Sequence, residues 1–142
     1  MTSRLPFLFA LLLCALGPVT AAEPTTPKPG SQQRKAIMDA LRVPVQGELK
    51  QPVIFQVSRL RVLDGWAFLA GAPLKPDGSE INYRGTKYQE LIDEGAFDGG
   101  IFALLRQRNG QWTVTRYIIG ATDIPYVDWP ADLQAPPSLF EP

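Results

Sequence analysis

The chain contains no histidine, and Cys14 is its only cysteine. Imidazole and thiolate are the side chains that most often bind metal ions or support a nucleophile at neutral pH. The groups left for chemistry are carboxylates, lysine, arginine, tyrosine and the backbone. We therefore expect no metal, no cofactor and no covalent catalysis, so the sequence predicts a protein that is not an enzyme.

The chain also has no excess of charge of either sign, with 14 Lys and Arg residues against 14 Asp and Glu residues. Nucleic-acid binding needs basic side chains grouped on one surface to neutralise phosphates. Here the arginines are interspersed with apolar residues in strand-like segments, so nucleic acid is not an expected partner. The hydrophobic content of 45% is ordinary for a globular domain.

The N-terminus has the pattern of an export signal. Arg4 provides a positive charge, residues 5–16 form an apolar run, and small residues follow as far as Ala22. The run is about a dozen residues, shorter than the roughly 20 that cross a bilayer. We predict a signal peptide over residues 1–22, which removes Cys14, a periplasmic or secreted product, and no stable membrane anchor after cleavage.

A linker and a helix are predicted next. Residues 23–30 are rich in proline and carry no large apolar side chain, which is typical of an extended linker. Ser31 is a suitable N-cap for a helix that ends near Arg42, because Pro44 opposes continuation. The apolar stripe of this helix consists of Ala36, Ile37, Ala40 and Leu41.

Two short turns predict two β-hairpins. Asp64-Gly65 and Asn109-Gly110 each separate two runs rich in β-branched and aromatic residues. Both dipeptides tolerate the positive φ angles of a type I′ turn, which joins adjacent antiparallel strands.

A two-residue loop also fixes which residues face each other across a hairpin. The first hairpin places Leu63 opposite Trp66, and the second places Phe102 opposite Tyr117. The apolar residues of the first strand change face near Ser58, which predicts a β-bulge there or a strand that is covered on both faces.

The order of elements predicts the fold class. Thr86 and Gln89 have the spacing of a capping box and predict a short helix between the hairpins. Residues 31–120 then form an α+β domain, with an N-terminal helix packed on a curved four-stranded antiparallel sheet. This order resembles the cystatin-like or NTF2-like architecture, and the resemblance implies binding between sheet and helix, or binding of another protein.

Residues 121–142 form a proline-rich C-terminal segment, which we call the tail. It carries Ile124, Tyr126, Trp129 and Phe140 and is too apolar for a disordered end. We therefore predict that the tail packs on the domain.

The candidate binding residues combine strand arginines and aromatics with polar and aromatic residues of the tail. Cross-strand packing and structural ion pairs are the alternative interpretation of these residues. The candidates are Arg59, Arg61, Trp66, Phe68, Arg106, Arg116, Tyr117, Asp123, Tyr126 and Trp129.

The sequence thus predicts an exported, small non-catalytic binding domain that binds a protein of the cell envelope as a monomer or weak dimer. One alternative is a carrier of a small apolar ligand, with a cavity lined by Ile37, Leu41, Phe55 and Trp66. A second alternative is a glycan hydrolase, which requires a pair of carboxylates in a cleft.

One acidic segment allows a calcium hypothesis. Asp93, Glu94 and Asp98 lie among glycines, but their spacing departs from that of a calcium-binding EF-hand loop. A solvated helix end followed by a tight turn accounts for the same residues, so no metal ligand is predicted.

Overall fold

The computed structural model describes residues 16–18 and 22–142, so most of the predicted signal peptide lies outside the described residues. Helices α1 to α3 and a 3-10 turn accompany strands β1 to β4. In chain order the elements are α1 Gln32–Leu49, β1 Ile54–Leu63, β2 Trp66–Leu74, α2 Gln89–Asp93, β3 Ile101–Arg108, β4 Gln111–Ile119, α3 Trp129–Leu133 and the 3-10 turn Pro137–Leu139.

The strands form one antiparallel sheet in the order β1-β2-β3-β4, and α1 packs on it. The predicted α+β fold is confirmed. The finer likeness to cystatin-like or NTF2-like proteins stays a prediction from element order.

Helix α1 is longer than predicted. Ser31 caps its start, but the helix passes through Pro44 and ends at Leu49, so the predicted end near Arg42 is wrong. Val45 and Leu49 extend the buried stripe, with exposed fractions of 0% and 3%. Burial of such side chains contributes roughly 1.5–3 kcal/mol each, which offsets the cost of about 3 kcal/mol for an internal proline.

The first hairpin has the predicted geometry. Asp64 and Gly65 have φ angles of 49° and 76°, and Leu63 pairs with Trp66. The register shifts between Val57 and Arg59, which confirms the bulge at Ser58. The bulge keeps the apolar residues on both sides of it on the face that α1 covers.

The second hairpin contains a bulge that the sequence analysis missed. The register shifts at Thr115, so Phe102 pairs with Ile118 and Tyr117 pairs with Ala103. The predicted pair of Phe102 with Tyr117 is therefore wrong. A one-residue shift moves side chains to the opposite face, so Tyr117 points to α1 and Arg116 to the other side of the sheet.

The two faces of the sheet have separate cores. The helix face packs against the α1 residues Ile37, Leu41, Val45 and Leu49. The opposite face, which we call the tail face, packs against residues of the tail, including Trp129, Leu139 and Phe140. Both faces of β1 and β2 are therefore covered.

Two connecting segments differ in detail from their sequence patterns. In the segment interpreted as a linker, Thr25 exchanges two backbone hydrogen bonds with Val62 on the outer edge of β1. At α2, Tyr88 occupies the N-cap position without a side-chain cap, so the predicted capping box of Thr86 and Gln89 does not form. The Gln89 amide instead donates to Asp93 at 2.8 Å.

Candidate functional site

Most of the predicted binding residues come together on the tail face. The pairing of the strands makes four residues, one from each strand, direct neighbours across the sheet. They are Arg61, Phe68, Leu104 and Arg116. Trp66 and Arg106 form a neighbouring pair in the next row. Tyr126 and Trp129 of the tail lie over this face.

Some arginines of the tail face lie over aromatic rings. The Arg59 guanidinium lies 5.0 Å from the Phe68 ring centre and donates to the Tyr126 hydroxyl at 3.1 Å. The Arg106 guanidinium lies 4.3 Å from the Trp66 ring centre. The two arginine–ring contacts are of the cation–π type and join neighbouring strands. The hydrogen bond from Arg59 to Tyr126 helps to hold the tail against the strands.

A carboxylate of the tail completes this arrangement. Asp132 lies 3.7 Å from the Arg116 guanidinium, which also lies 6.0 Å from the Trp129 ring centre. Trp129 is only 4% exposed and Phe68 is fully buried. The tail therefore already occupies the centre of this surface.

Two predicted residues lie elsewhere. Tyr117 is on the helix face because of the bulge at Thr115, and its hydroxyl donates to Glu48 at 2.9 Å. Asp123 is exposed in the loop after β4, and it forms none of the ion pairs found among the described residues.

A cluster around Glu48 was missed by sequence reasoning, because the predicted helix stopped before this residue. Its carboxylate accepts hydrogen bonds from the hydroxyls of Tyr117 and Tyr88, at 2.9 Å and 3.1 Å, and forms an ion pair with Lys87. The i+4 continuation of the apolar stripe to Val45 is the signal that would have revealed it.

The cluster alters the pKa values of its members. Burial raises the pKa of the Glu48 carboxyl, but hydrogen bonds from Lys87, Tyr117 and Tyr88 outweigh burial and leave the pKa lowered. Burial, followed by the hydrogen bond to Glu48, raises the pKa of Tyr117 to about 12. Tyr117, Tyr88 and Lys87 all contact Glu48 of α1, so this cluster joins α1 to β4 and to the segment before α2.

The cavity proposed for a small-ligand carrier does not have its predicted lining. Ile37 and Leu41 are fully buried against the helix face, where Phe55 also packs. Trp66 lies in the core on the opposite face, so it cannot line the same cavity.

The described structure has instead an open groove of 1140 Å³ at one end of the sheet. It lies between the far end of the β1–β2 hairpin and the segment that contains α2 and leads into β3. The groove is lined by Gln56, Val57, Ser58, Gly71, Ala72, Pro73, Leu74, Glu80, Ile81, Asn82, Tyr83, Arg84, Gln89, Ile92, Asp93, Phe97, Asp98, Gly99 and Gly100.

The groove lies where β2 extends beyond the first residue of β3. Gly71 pairs with Ile101, the first residue of β3, whereas β2 continues to Leu74. A Cβ atom on Gly71 would overlap the carbonyl oxygen of Gln56, so glycine permits the close approach of β1 at the bulge.

Two sets of contacts position the segment before α2 and the loop before β3, which form the other walls of the groove. The Gln51 side chain donates to the Asn82 carbonyl at 2.7 Å and accepts from the Asn82 N–H at 3.1 Å. The Phe97 ring lies against Gly120, where any side chain would overlap it, and its centre is 4.7 Å from that of Tyr83.

The groove combines apolar and polar groups. Val57, Ile81, Ile92 and Phe97 provide apolar surface, and Ile92 is 37% exposed. Amide side chains and charged groups complete the lining, and amides both donate and accept hydrogen bonds. Such a mixture is typical of binding sites that combine apolar contact with a few orienting polar groups.

The groove carboxylates are arranged differently from those of a glycosidase. Glu80, Asp93 and Asp98 all line the groove, but each of these residues is exposed. A general acid for glycoside hydrolysis needs burial or a close like charge to remain protonated at neutral pH. Asp98 instead accepts a hydrogen bond from the Gly100 N–H at 3.1 Å.

Within residues 16–18 and 22–142, no group of three or more acidic or sulfur side chains is placed to hold a metal ion. In the same residues, no helix combines the length and apolar character of a membrane span. No protein-family model, curated protein or solved structure matches the chain. The geometry of the groove is therefore the basis on which a function is proposed.

Proposed function

We propose that this protein is an exported, non-catalytic binding domain, and that the groove holds a segment of a partner protein in the cell envelope. The observation that carries the proposal is an open, partly apolar groove beside two packed cores. The tail face is a weaker site for a partner, because the tail already covers its aromatic centre.

The shape and chemistry of the groove favour a peptide segment over catalysis. The groove is open to solvent and its walls carry the amides of Gln56 and Asn82, which match the donors and acceptors of a peptide backbone. Among the described residues no charged side chain is buried, so the exposed groove carboxylates have no buried partner there that would separate them into an acid and a base.

Site-specific photo-crosslinking in cells tests this proposal. A benzophenone amino acid at Gln56 lies in the groove, and the same group at Gln33 on the exposed side of α1 serves as the control. We expect a discrete protein adduct from position 56 and none from position 33. The absence of an adduct at 56, or equal adducts at both positions, would contradict the proposal.

Matched glycine variants sharpen the test. Gly99 lies in the groove and Gly47 on α1, and a Cβ atom at either position meets no neighbouring atom. Gly99→Trp should fill the groove and suppress the adduct, whereas Gly47→Trp should leave it unchanged. Persistence of the adduct in Gly99→Trp would place the partner outside the groove.

The export proposal has its own measurement. N-terminal sequencing of the product from the envelope fraction should begin near Glu23, after removal of the signal peptide. Retention of Met1 in a membrane fraction would contradict cleavage.

A further inference from the structure

The groove is acidic although the chain as a whole is neutral. Its charged lining consists of the carboxylates of Glu80, Asp93 and Asp98 and the guanidinium of Arg84. The full sequence has 14 residues of each sign, so the groove carries a local excess of negative charge. Such an excess attracts positively charged ligands and rejects negatively charged ones.

Among the described residues, none of these carboxylates takes part in an ion pair. The ion pairs among the described residues are Lys35–Asp39, Arg42–Asp39, Lys87–Glu48 and Arg116–Asp132. None of them includes a groove carboxylate. Asp93 receives a hydrogen bond from the neutral amide of Gln89, which leaves its negative charge uncompensated.

Apolar surface lies directly beside these charges. Ile92 precedes Asp93 in α2, and Phe97 precedes Asp98 in the loop before β3, and all of these residues line the groove. A ligand that fits must therefore offer apolar side chains with positive charges close to them. In an extended segment, side chains two positions apart point to the same side, so a basic residue two positions from an apolar residue presents both side chains to one wall of the groove.

From this juxtaposition of charge and apolar surface we infer that the groove selects a basic, extended peptide segment in which lysine or arginine lies two positions from an apolar residue. The inference rests on the proposed function, since it names the chemistry of the segment that the groove holds. Glu80, Asp93 and Asp98 are the specificity-determining residues, because they favour basic segments over neutral or acidic ones. They take no part in covalent chemistry.

Synthetic peptides test the inference. Three peptides share the same valine and leucine residues and carry lysine, glutamine or glutamate two positions from each of them. They are titrated into the isotope-labelled exported protein while its amide resonances are followed. We expect the lysine peptide to bind about 3- to 20-fold more tightly than the glutamine peptide, from a few exposed charge pairs, and the glutamate peptide to bind most weakly. Shifted resonances should map to the groove, and added salt should reduce the advantage of lysine.

Charge-neutral variants provide the matched control. The double variant Glu80→Gln and Asp93→Asn removes two groove charges and should reduce the preference for lysine by about 2- to 5-fold. The double variant Glu90→Gln and Glu94→Gln removes two charges from the same region outside the groove lining and should largely preserve the preference. Equal loss in both double variants would show that net charge, not the groove, attracts the peptide.

The outcomes separate this inference from the proposed function. Equal affinity of the lysine and glutamine peptides, or no groove shifts with any peptide, would overturn the basic preference. The photo-crosslink at Gln56 does not depend on these peptides and decides the proposed function independently. A crosslinked partner segment that is neutral or acidic would likewise overturn the inference while supporting a groove that binds protein.

Discussion

Replacement of Glu48 by alanine is expected to destabilise the protein by about 2 kcal/mol. The change leaves the hydroxyls of Tyr117 and Tyr88 without their acceptor, and a hydrogen bond to a charged group contributes about 1.5–3 kcal/mol when buried. Both tyrosine hydroxyls lie at the edge of the core, so we expect each hydrogen bond to contribute about 1 kcal/mol to stability. The ion pair with Lys87 adds little, since the lysine side chain is 68% exposed.

Urea unfolding measures this effect. With a slope of about 1–3 kcal/mol per molar urea, the midpoint of Glu48→Ala should fall by about 1 M. Asp39→Ala is the control, since Asp39 pairs with Lys35 and Arg42 on the surface of the same helix, and it should leave the midpoint nearly unchanged. A midpoint shift for Glu48→Ala no larger than that of the control would refute the reasoning.

A double-mutant cycle isolates the hydrogen bond itself. Tyr117→Phe should destabilise the native protein but cost much less in the Glu48→Ala background, because the acceptor is already gone. Additive effects of the two changes would show that Tyr117 and Glu48 do not interact in solution.

The same cluster predicts a pH dependence. The pKa of Glu48 is lowered in the folded protein, so its stabilising contribution is present above its ordinary pKa of 4.5 and is lost as pH falls through the lower folded value. The pKa of Tyr117 is raised to about 12, so its contribution is present below its ordinary pKa of 10.0 and is lost as pH rises from there towards 12. In Glu48→Ala, the tyrosinate absorbance of Tyr117 should develop at lower pH, although burial keeps its pKa above 10.0. An unchanged titration would contradict the assignment.

Three further changes test the packing by urea unfolding. Leu139→Ala should destabilise the protein by about 2–5 kcal/mol, because this side chain is fully buried. Val43→Ala, at a position 74% exposed, is the control and should have little effect. Equal effects of the two changes would argue against a tail packed on the sheet. Gly71→Ala should lower the free energy of unfolding by about 1–3 kcal/mol, because the new Cβ atom overlaps the β1 backbone. Gly99→Ala is the control and should be tolerated, because its Cβ atom meets open space. No loss of stability in Gly71→Ala would contradict the bulge geometry. Pro44→Ala should raise the free energy of unfolding by about 2 kcal/mol, because it restores a helical hydrogen bond. A decrease in the free energy of unfolding would show that the proline stabilises the helix.

The local signals that predicted correctly are those that depend on a few neighbouring residues. Asp64-Gly65 specified its turn because the backbone there needs positive φ angles, and the turn then fixed the pairing of Leu63 with Trp66. The change of face near Ser58 predicted a bulge because the side-chain period of a strand is two residues.

The failures occurred where distant packing outweighed a local preference. Pro44 disfavours a helix, but burial of Val45 and Leu49 against the sheet offsets that cost. The bulge at Thr115 has no turn residue or glycine to announce it, and it moved Tyr117 from the tail face to Glu48.

The sequence by itself determined the order from the first helix to the second hairpin, both hairpin turns and the composition of the tail, because each follows from backbone conformation or hydrophobicity along the chain. It did not predict helix α3 or the 3-10 turn in the tail. Only the tertiary structure decided where the groove lies. The groove depends on β2 extending beyond β3 and on Phe97 packing against Gly120, and neither the unequal strand lengths nor this long-range contact has a local cause. Its acidic character arises partly in the same way, since Asp93 and Asp98 belong to one segment of the chain, but only the fold brings Glu80 to the same groove.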